Sequence, residues 1–297
     1  MTAAARRGRK GRGGGGLRLL VLGLVLGGAA VYLVLRRSEA PRTDVAPVPA
    51  ATPAGATPSP APSKPHPAGV PADFEEAGGE GHGALALVLD DLGNSEGVLD
   101  RVATLPGPIA LAALPDGPAT ASVAALAKRN GWDLLIHLPM SAGAGRPEPG
   151  EISPSDDERT IEAALARAVE RTPGAVGVNN HQGSTAMADR RVVRTVLRAV
   201  RDRHLFFLDS RTGASSIAAE EARALGTPIL SRDVFLDAEG EKGLAVAWGE
   251  AELLAAKRGS AIVLAHPHAA TLDFLSRELP KLPKRGLRLV KISELVD

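Results

Sequence analysis

The sequence predicts an α/β fold. A deformed (β/α) barrel of seven or eight strands is expected over residues 83–297, preceded by a transmembrane helix and a disordered linker. Three observations point there. Short apolar runs alternate with helical apolar patterns along the whole of 83–297, as repeated βα units do. Several of the runs are continuously apolar, as expected of parallel strands covered on both faces. The segment has about 215 residues, enough for one well-filled core.

The elements follow in chain order. Residues 1–18 form a basic segment with Arg6, Arg7, Arg9, Lys10, Arg12 and Arg18. Leu19 to Leu35 is an uncharged apolar run of 17 residues, long enough to span a bilayer. The basic cluster before it should stay in the cytoplasm, which exports everything after Arg37. A cleaved signal peptide would need its small-residue site near Gly27–Ala30, yet the apolar run continues to Leu35. An uncleaved single-pass anchor is therefore expected, with the C-terminal domain periplasmic or at the cell surface. Residues 36–82 read as a linker, because ten of the 23 prolines fall there among Ala, Thr, Ser and Gly.

Within 83–297 the predicted strands are Leu85–Leu89, Ile109–Leu114, Leu134–Leu138, Ala175–Val178, Leu205–Leu208, Pro228–Leu230, Ala261–Ala265 and Leu287–Val290. Ser155 to Glu158 has capping-box spacing, followed by Ile161, Ala164, Leu165, Ala168 and Val169 on one helical face and a stop at Pro173-Gly174. Val192, Val193, Val196, Leu197 and Val200 repeat the pattern, with Arg190, Arg191, Arg194, Arg198 and Arg201 as a solvated face. Gly226 reads as a helix C-cap.

Composition narrows the function. The net charge of +1 hides an asymmetry: residues 1–37 carry eight basic residues and no acid, leaving 27 basic against 34 acidic residues in the rest. An acidic body argues against a nucleic-acid surface. No cysteine is present, which removes disulfides, thiol nucleophiles and Cys-ligated metals. Neither a G-x-S-x-G elbow nor a phosphate-binding G-x-x-x-x-G-K occurs.

The informative pattern lies at the ends of the runs. They close on Asp90-Asp91, His137, Asn179-Asn180-His181, Asp209-Ser210-Arg211, Ser231-Arg232-Asp233 and His266-Pro267-His268. In parallel α/β folds the active site lies at the carboxyl ends of the strands. An Asp at such a place often caps a helix, and a lone His often sits in a core. Taken jointly, two adjacent carboxylates and histidines from separate strands suit zinc or a similar metal with N/O ligands.

Six stretches carry a resemblance: ALALVLDDLGNS (84–95), LLIHLPM (134–140), GAVGVNNHQGS (174–184), FFLDSRT (206–212), SRDVFLD (231–237) and AIVLAHPH (261–268). Together they resemble the divergent polysaccharide deacetylase family, a distant branch of the NodB-homology carbohydrate esterases. The resemblance implies a NodB-like barrel, a divalent metal that is usually zinc, and removal of acetyl groups from an acetylated carbohydrate such as a cell-envelope glycan. It implies Asp90 as catalytic base, Asp91 and His137 as metal ligands, and His266 as general acid. Asp209 and Arg211 resemble the residues supporting the base; Asn180 and Asp233 are added to that supporting set. The superfamily pattern offers a second metal His soon after the first, and none follows His137 nearby. His181, at the end of the next run, is expected as the third ligand. The rival expectation is a catalytically silent envelope binding or scaffold protein that keeps the barrel.

Overall fold

The computed structural model describes residues 83–296. The basic segment, the predicted anchor and the predicted linker lie outside these residues. Among the described residues no helix is long and apolar enough to cross a membrane.

In chain order the elements are β1 (Gly83–Leu92), α1 (Leu99–Ala103), β2 (Ala110–Ala113), α2 (Thr120–Asn130), β3 (Asp133–Met140), α3 (Glu158–Arg171), β4 (Gly177–Gln182), α4 (Arg190–Arg201), β5 (Phe206–Asp209), α5 (Ala218–Leu225), β6 (Ile229–Ser231), β7 (Val234–Phe235), α6 (Leu244–Arg258), β8 (Ser260–Ala265), α7 (Ala269–Glu278) and β9 (Leu287–Leu289). All eight predicted strands are present. The ninth, β7, has two residues, too few to show any periodicity.

The strands run parallel in the order β6-β5-β4-β3-β2-β1-β8-β7, with β9 beside the start of β1. The two ends of that order, β6 and β7, are consecutive in the chain and separated only by Arg232 and Asp233. Three Cα steps of 3.80 Å reach at most about 11 Å. The sheet must therefore curl until its edges nearly meet, giving a half-barrel that stays open between β6 and β7.

Side chains alternate between the two faces of each strand. Leu85, Leu87 and Leu89 of β1, Leu111 of β2, and Val263 and Ala265 of β8 pack outward with the helices. So do Ile136 and Leu138 of β3, Val178 of β4 and Phe207 of β5. Ala84, Ala86, Val88, Ala112, Leu135, Phe206, Leu208, Ile262 and Leu264 face the inside. The interior is narrow enough to need small residues. A Cβ on Gly177 would lie 2.6–2.8 Å from the Phe206 ring. Ile292 and Leu295, in a short turn near the C-terminus, close the lower end, with Ser293 N–H donating to Asp133 at 2.8 Å.

Two local expectations need correction. Helix α3 is capped by Asp157, whose carboxylate accepts from Thr160 N–H at 2.8 Å, rather than by a Ser155 capping box; Asp156 instead accepts from Ser153 N–H. The arginines of α4 are tethered, not merely solvated. Arg190 and Arg194 both pair with the buried Glu221 of α5, Arg191 donates to Pro154 O, Arg198 lies 3.9 Å from Glu158, and Arg201 donates to Leu225 O. Gly226 ends α5 in the left-handed conformation at φ 66°, as expected.

Candidate functional site

The alternation that sorts the core also builds the site. Extending the inner face of each strand by two residues leads from Val88 to Asp90, from Leu135 to His137, from Leu208 to Ser210 and from Leu264 to His266. On β4 the inner positions are Gly177, Asn179 and His181; His137 stands beside Asn179 in the register, and Pro139 beside His181. These residues rise from the carboxyl end of the barrel around a pocket of about 330 Å³ lined by Asp90, His137, His181, Ser210, Phe235 and His266, among others.

Asp91 follows an inward residue and would point outward on a regular strand. Its backbone takes a left-handed φ of 58° instead, which a non-glycine residue adopts only at some cost. Its carboxylate consequently turns into the site. Gln182 and Arg211 share this conformation at the ends of β4 and β5, with φ 55° and 50°. Backbone strain thus gathers at this rim of the barrel.

The Asp91 Oδ1, His137 Nε2 and His181 Nδ1 atoms form a tight triangle. Asp91 lies 3.0 Å from His137 and 2.9 Å from His181, and the two ring nitrogens are 3.1 Å apart. Each imidazole is fixed at its other nitrogen. His137 Nδ1 lies 3.0 Å from Asn179 Oδ1, and His181 Nε2 lies 3.1 Å from Glu148 Oε1. Both acceptors select the tautomer that leaves a lone pair facing the triangle. Two lone pairs and a carboxylate aimed at one another repel unless positive charge sits among them. Zinc takes such ligands at roughly 2.0–2.2 Å, and one point can reach all three atoms of so small a triangle at that distance. The donor set therefore fits a small divalent cation.

A second group, Asp237, His266 and His268, also has ligand atoms within 4.8 Å of one another. Its carboxylate is already engaged. Asp237 Oδ1 holds His266 Nδ1 at 3.1 Å, and Oδ2 accepts from His266 N–H at 2.8 Å and from Thr271 Oγ1 at 3.0 Å. That arrangement leaves His266 Nε2 facing the centre, 3.5 Å from Asp91 Oδ2.

Asp90 is buried, at 3% exposure. Asn179 Nδ2 donates to its Oδ1 at 2.9 Å and approaches Ser210 Oγ at 3.3 Å. Burial pushes the Asp90 carboxyl upward against the pull of His137 and Asn179. Burial acts the same way on Asp91, but the pull of His137 and His181 outweighs it and holds that carboxyl far below the usual range. Burial disfavours a charged His181; the pull of the Asp91 and Glu148 carboxylates outweighs it and raises the imidazole. His266 is raised chiefly by its hydrogen bond to Asp237.

The expected supporting residues sit differently. Asn180 lines the pocket at the end of β4, accepts from Ser210 N–H at 2.9 Å and donates to Gln182 O at 2.7 Å, so it ties the β4 end to the loop after β5. Asp209 faces away from the interior; it shapes its own loop by accepting from Arg211 N–H at 2.8 Å and Ser216 Oγ at 2.7 Å. The Arg211 side chain is exposed. Asp233 is away from the pocket: its carboxylate accepts from Ile262 N–H at 2.9 Å and clips β8. Asn179 and Arg232 stand out in the sequence only as strand-end residues, and Glu148 and Asp237 have no expected place in the site. Arg232 bridges the open seam of the barrel, donating to Ser210 O at 2.7 Å and to Arg211 O at 3.1 Å, with its guanidinium 5.0 Å from the Phe235 ring centre. The two-residue period of β4 singles out Asn179, since it shares a face with His181. Asp237 closes the resemblance stretch SRDVFLD (231–237) without a role being implied for it, and nothing in the sequence marks Glu148; each reaches the site from a connection.

The chain is similar to several known proteins. The chain is 36% identical over 217 residues to the uncharacterized protein YibQ of Escherichia coli K12, spanning 72% of this chain and 68% of that one. It is 33% identical over 213 residues to an uncharacterized protein of Haemophilus influenzae, spanning 71% and 76%. An uncharacterized protein from Agrobacterium tumefaciens has a similar crystal structure, with a TM-score of 0.70 at 25% identity over 74% of this chain and 91% of that one. The family model for divergent polysaccharide deacetylases matches residues 87–296, which contain every strand end described above. With most of its length inside that match, the chain belongs to the divergent polysaccharide deacetylase family.

Proposed function

We propose that this protein is a membrane-anchored, extracytoplasmic deacetylase that hydrolyses acetyl groups on a cell-envelope carbohydrate with metal-activated water. The observation that carries the reading is the convergence of Asp91, His137 and His181 at 2.9–3.1 Å, beside Asp90 and His266 in one pocket. Family membership supports the substrate class.

Asp91, His137 and His181 would hold the metal, with zinc the best match to two imidazoles and one carboxylate. When bound, such an ion lowers the pKa of a water molecule and polarises the acetyl carbonyl. Asp90 takes the proton that the attacking water loses. Asn179 keeps Asp90 and His137 in register with each other, because its amide bonds to both. Gln182, Gly183 and Ser184 line the pocket wall, and backbone N–H groups there would stabilise the developing oxyanion. His266, oriented by Asp237 at Nδ1, gives the proton on Nε2 to the leaving amine or alkoxide. Residues 19–35 would anchor the chain, with the basic head in the cytoplasm.

The test uses the full chain in detergent micelles, with elemental analysis and an acetate-release assay on N- and O-acetylated envelope glycans. About one metal per chain and steady acetate release are expected. Asp90→Asn should keep the metal and lose roughly 10²- to 10⁴-fold in turnover, the usual worth of a positioned base. Full metal content in His137→Ala would overturn the ligand assignment. Metal without acetate, and with glycan still retained in a pull-down, would favour the silent binding protein.

A further inference from the structure

His181 is the more exposed of the two histidines among the proposed ligands: its side chain is 16% accessible, against 3% for His137. It stands near the end of β4, where neither the sheet nor the core dictates how the ring lies. Its correct use as an Nδ1 donor needs a hydrogen on Nε2 and an acceptor for that hydrogen. The acceptor, Glu148 Oε1, comes from the connection between β3 and α3.

That connection is built to hold the carboxylate still. Its base is pinned to the end of β3 by Ser141 N–H to Ile152 O at 2.8 Å and Ile152 N–H to Pro139 O at 2.9 Å. Its tip is closed by a reciprocal pair: Glu148 N–H donates to Glu151 Oε2 at 3.2 Å, and Glu151 N–H donates to Glu148 O at 3.1 Å. A third restraint comes from Gln182. The left-handed backbone there, φ 55°, accompanies a side chain that returns over the preceding residue, and Nε2 donates to the same Glu148 Oε1 at 3.0 Å. One carboxylate oxygen thus meets the outer nitrogen of His181 and a side-chain donor from the next residue. Glycine would adopt the left-handed conformation more easily, yet only a side chain there can hold Glu148.

We infer that Glu148, steadied by Gln182, is a positioning residue that fixes His181 as an Nδ1 donor and thereby sets the metal affinity of the Asp91–His137–His181 cluster. The inference rests on the metal reading of that cluster proposed above. Asn179 does the same for His137 from inside the barrel; Glu148 does it from the rim.

The experiment measures zinc affinity of the full chain in detergent by competition with a chromophoric chelator, without substrate, alongside thermal unfolding of the metal-free chain. Glu148→Ala should weaken zinc binding by about 10- to 100-fold, the usual effect of losing such a partner. Glu148→Gln, which keeps an acceptor oxygen, should recover most of it. Gln182→Gly should weaken zinc binding while leaving the unfolding temperature unchanged or higher, an outcome that a purely structural role would not produce. Wild-type zinc affinity in both Glu148→Ala and Gln182→Gly overturns this inference alone. A wild-type chain that binds no zinc overturns it together with the reading on which it rests.

Discussion

Replacing Asn179 with alanine cuts the link between the two halves of the site. The residue is fully buried, accepts from His137 at 3.0 Å and donates to Asp90 at 2.9 Å. The alanine variant leaves a ring N–H and a carboxylate oxygen without their partner in a buried place. Each orphaned group costs about 1–3 kcal/mol, and a water admitted to the space left behind recovers part of it. A net loss of about 3 kcal/mol is expected. For a domain of this size, roughly 2–4 °C per kcal/mol applies, so the unfolding temperature should fall by about 6–12 °C. Urea unfolding of the full chain in detergent, followed by tryptophan fluorescence and compared with wild type, measures it. A loss below about 0.5 kcal/mol would mean that the amide is not the bridge described, because a surface substitution costs that little.

Other outcomes follow from the same geometry. Removing both Arg190 and Arg194 strands the Glu221 carboxylate, whose side chain is 1% exposed, and should cost about 3 kcal/mol in urea unfolding, the low end for an uncompensated buried charge because both guanidinium groups face solvent; Glu221→Leu in the same background should recover much of that loss. Asp189→Ala removes the acceptor for Val192 N–H at the start of α4 and should lower stability by about 1 kcal/mol, read as a 2–4 °C fall in unfolding temperature. Burial works to raise the Asp237 carboxyl, but its bonds from His266 and Thr271 prevail and hold it below the ordinary value of 3.8. Its stabilisation is therefore fully present above that value and drains away as the pH falls below it. Asp237→Asn should lose less stability than wild type between pH 5 and pH 3, and parallel curves would contradict the bond pattern.

Much of this architecture was legible in the sequence, and the reasons differ by element. Runs such as Leu85–Leu89 and Ala261–Ala265 are covered on both faces, so apolar residues follow one another without a break and announce strands. The reactive ends, Asp90, His137, His181 and His266, were visible because polar residues abruptly close those runs. Parity along each strand separates Asn179 from Asn180 and Ser210 from Asp209: Asn179 and Ser210 meet beside Asp90, whereas Asn180 and Asp209 tie the rim loops, Asn180 while still lining the pocket. Asp91 escapes parity only through its left-handed backbone, which a residue-by-residue reading does not reveal. Glu148 and Asp237 depend on how connections fold back over the rim. Strand β7 is invisible for another reason: two residues cannot show a period, and only pairing with β8 defines them.

The central claim is that Asp91, His137 and His181 hold one metal ion. X-ray absorption of the full chain loaded with one equivalent of zinc tests it most directly. The account predicts nitrogen and oxygen ligands at about 2.0–2.1 Å with the outer scattering of two imidazoles, falling to one imidazole in His181→Ala. A two-imidazole spectrum that survives unchanged in His181→Ala would contradict it.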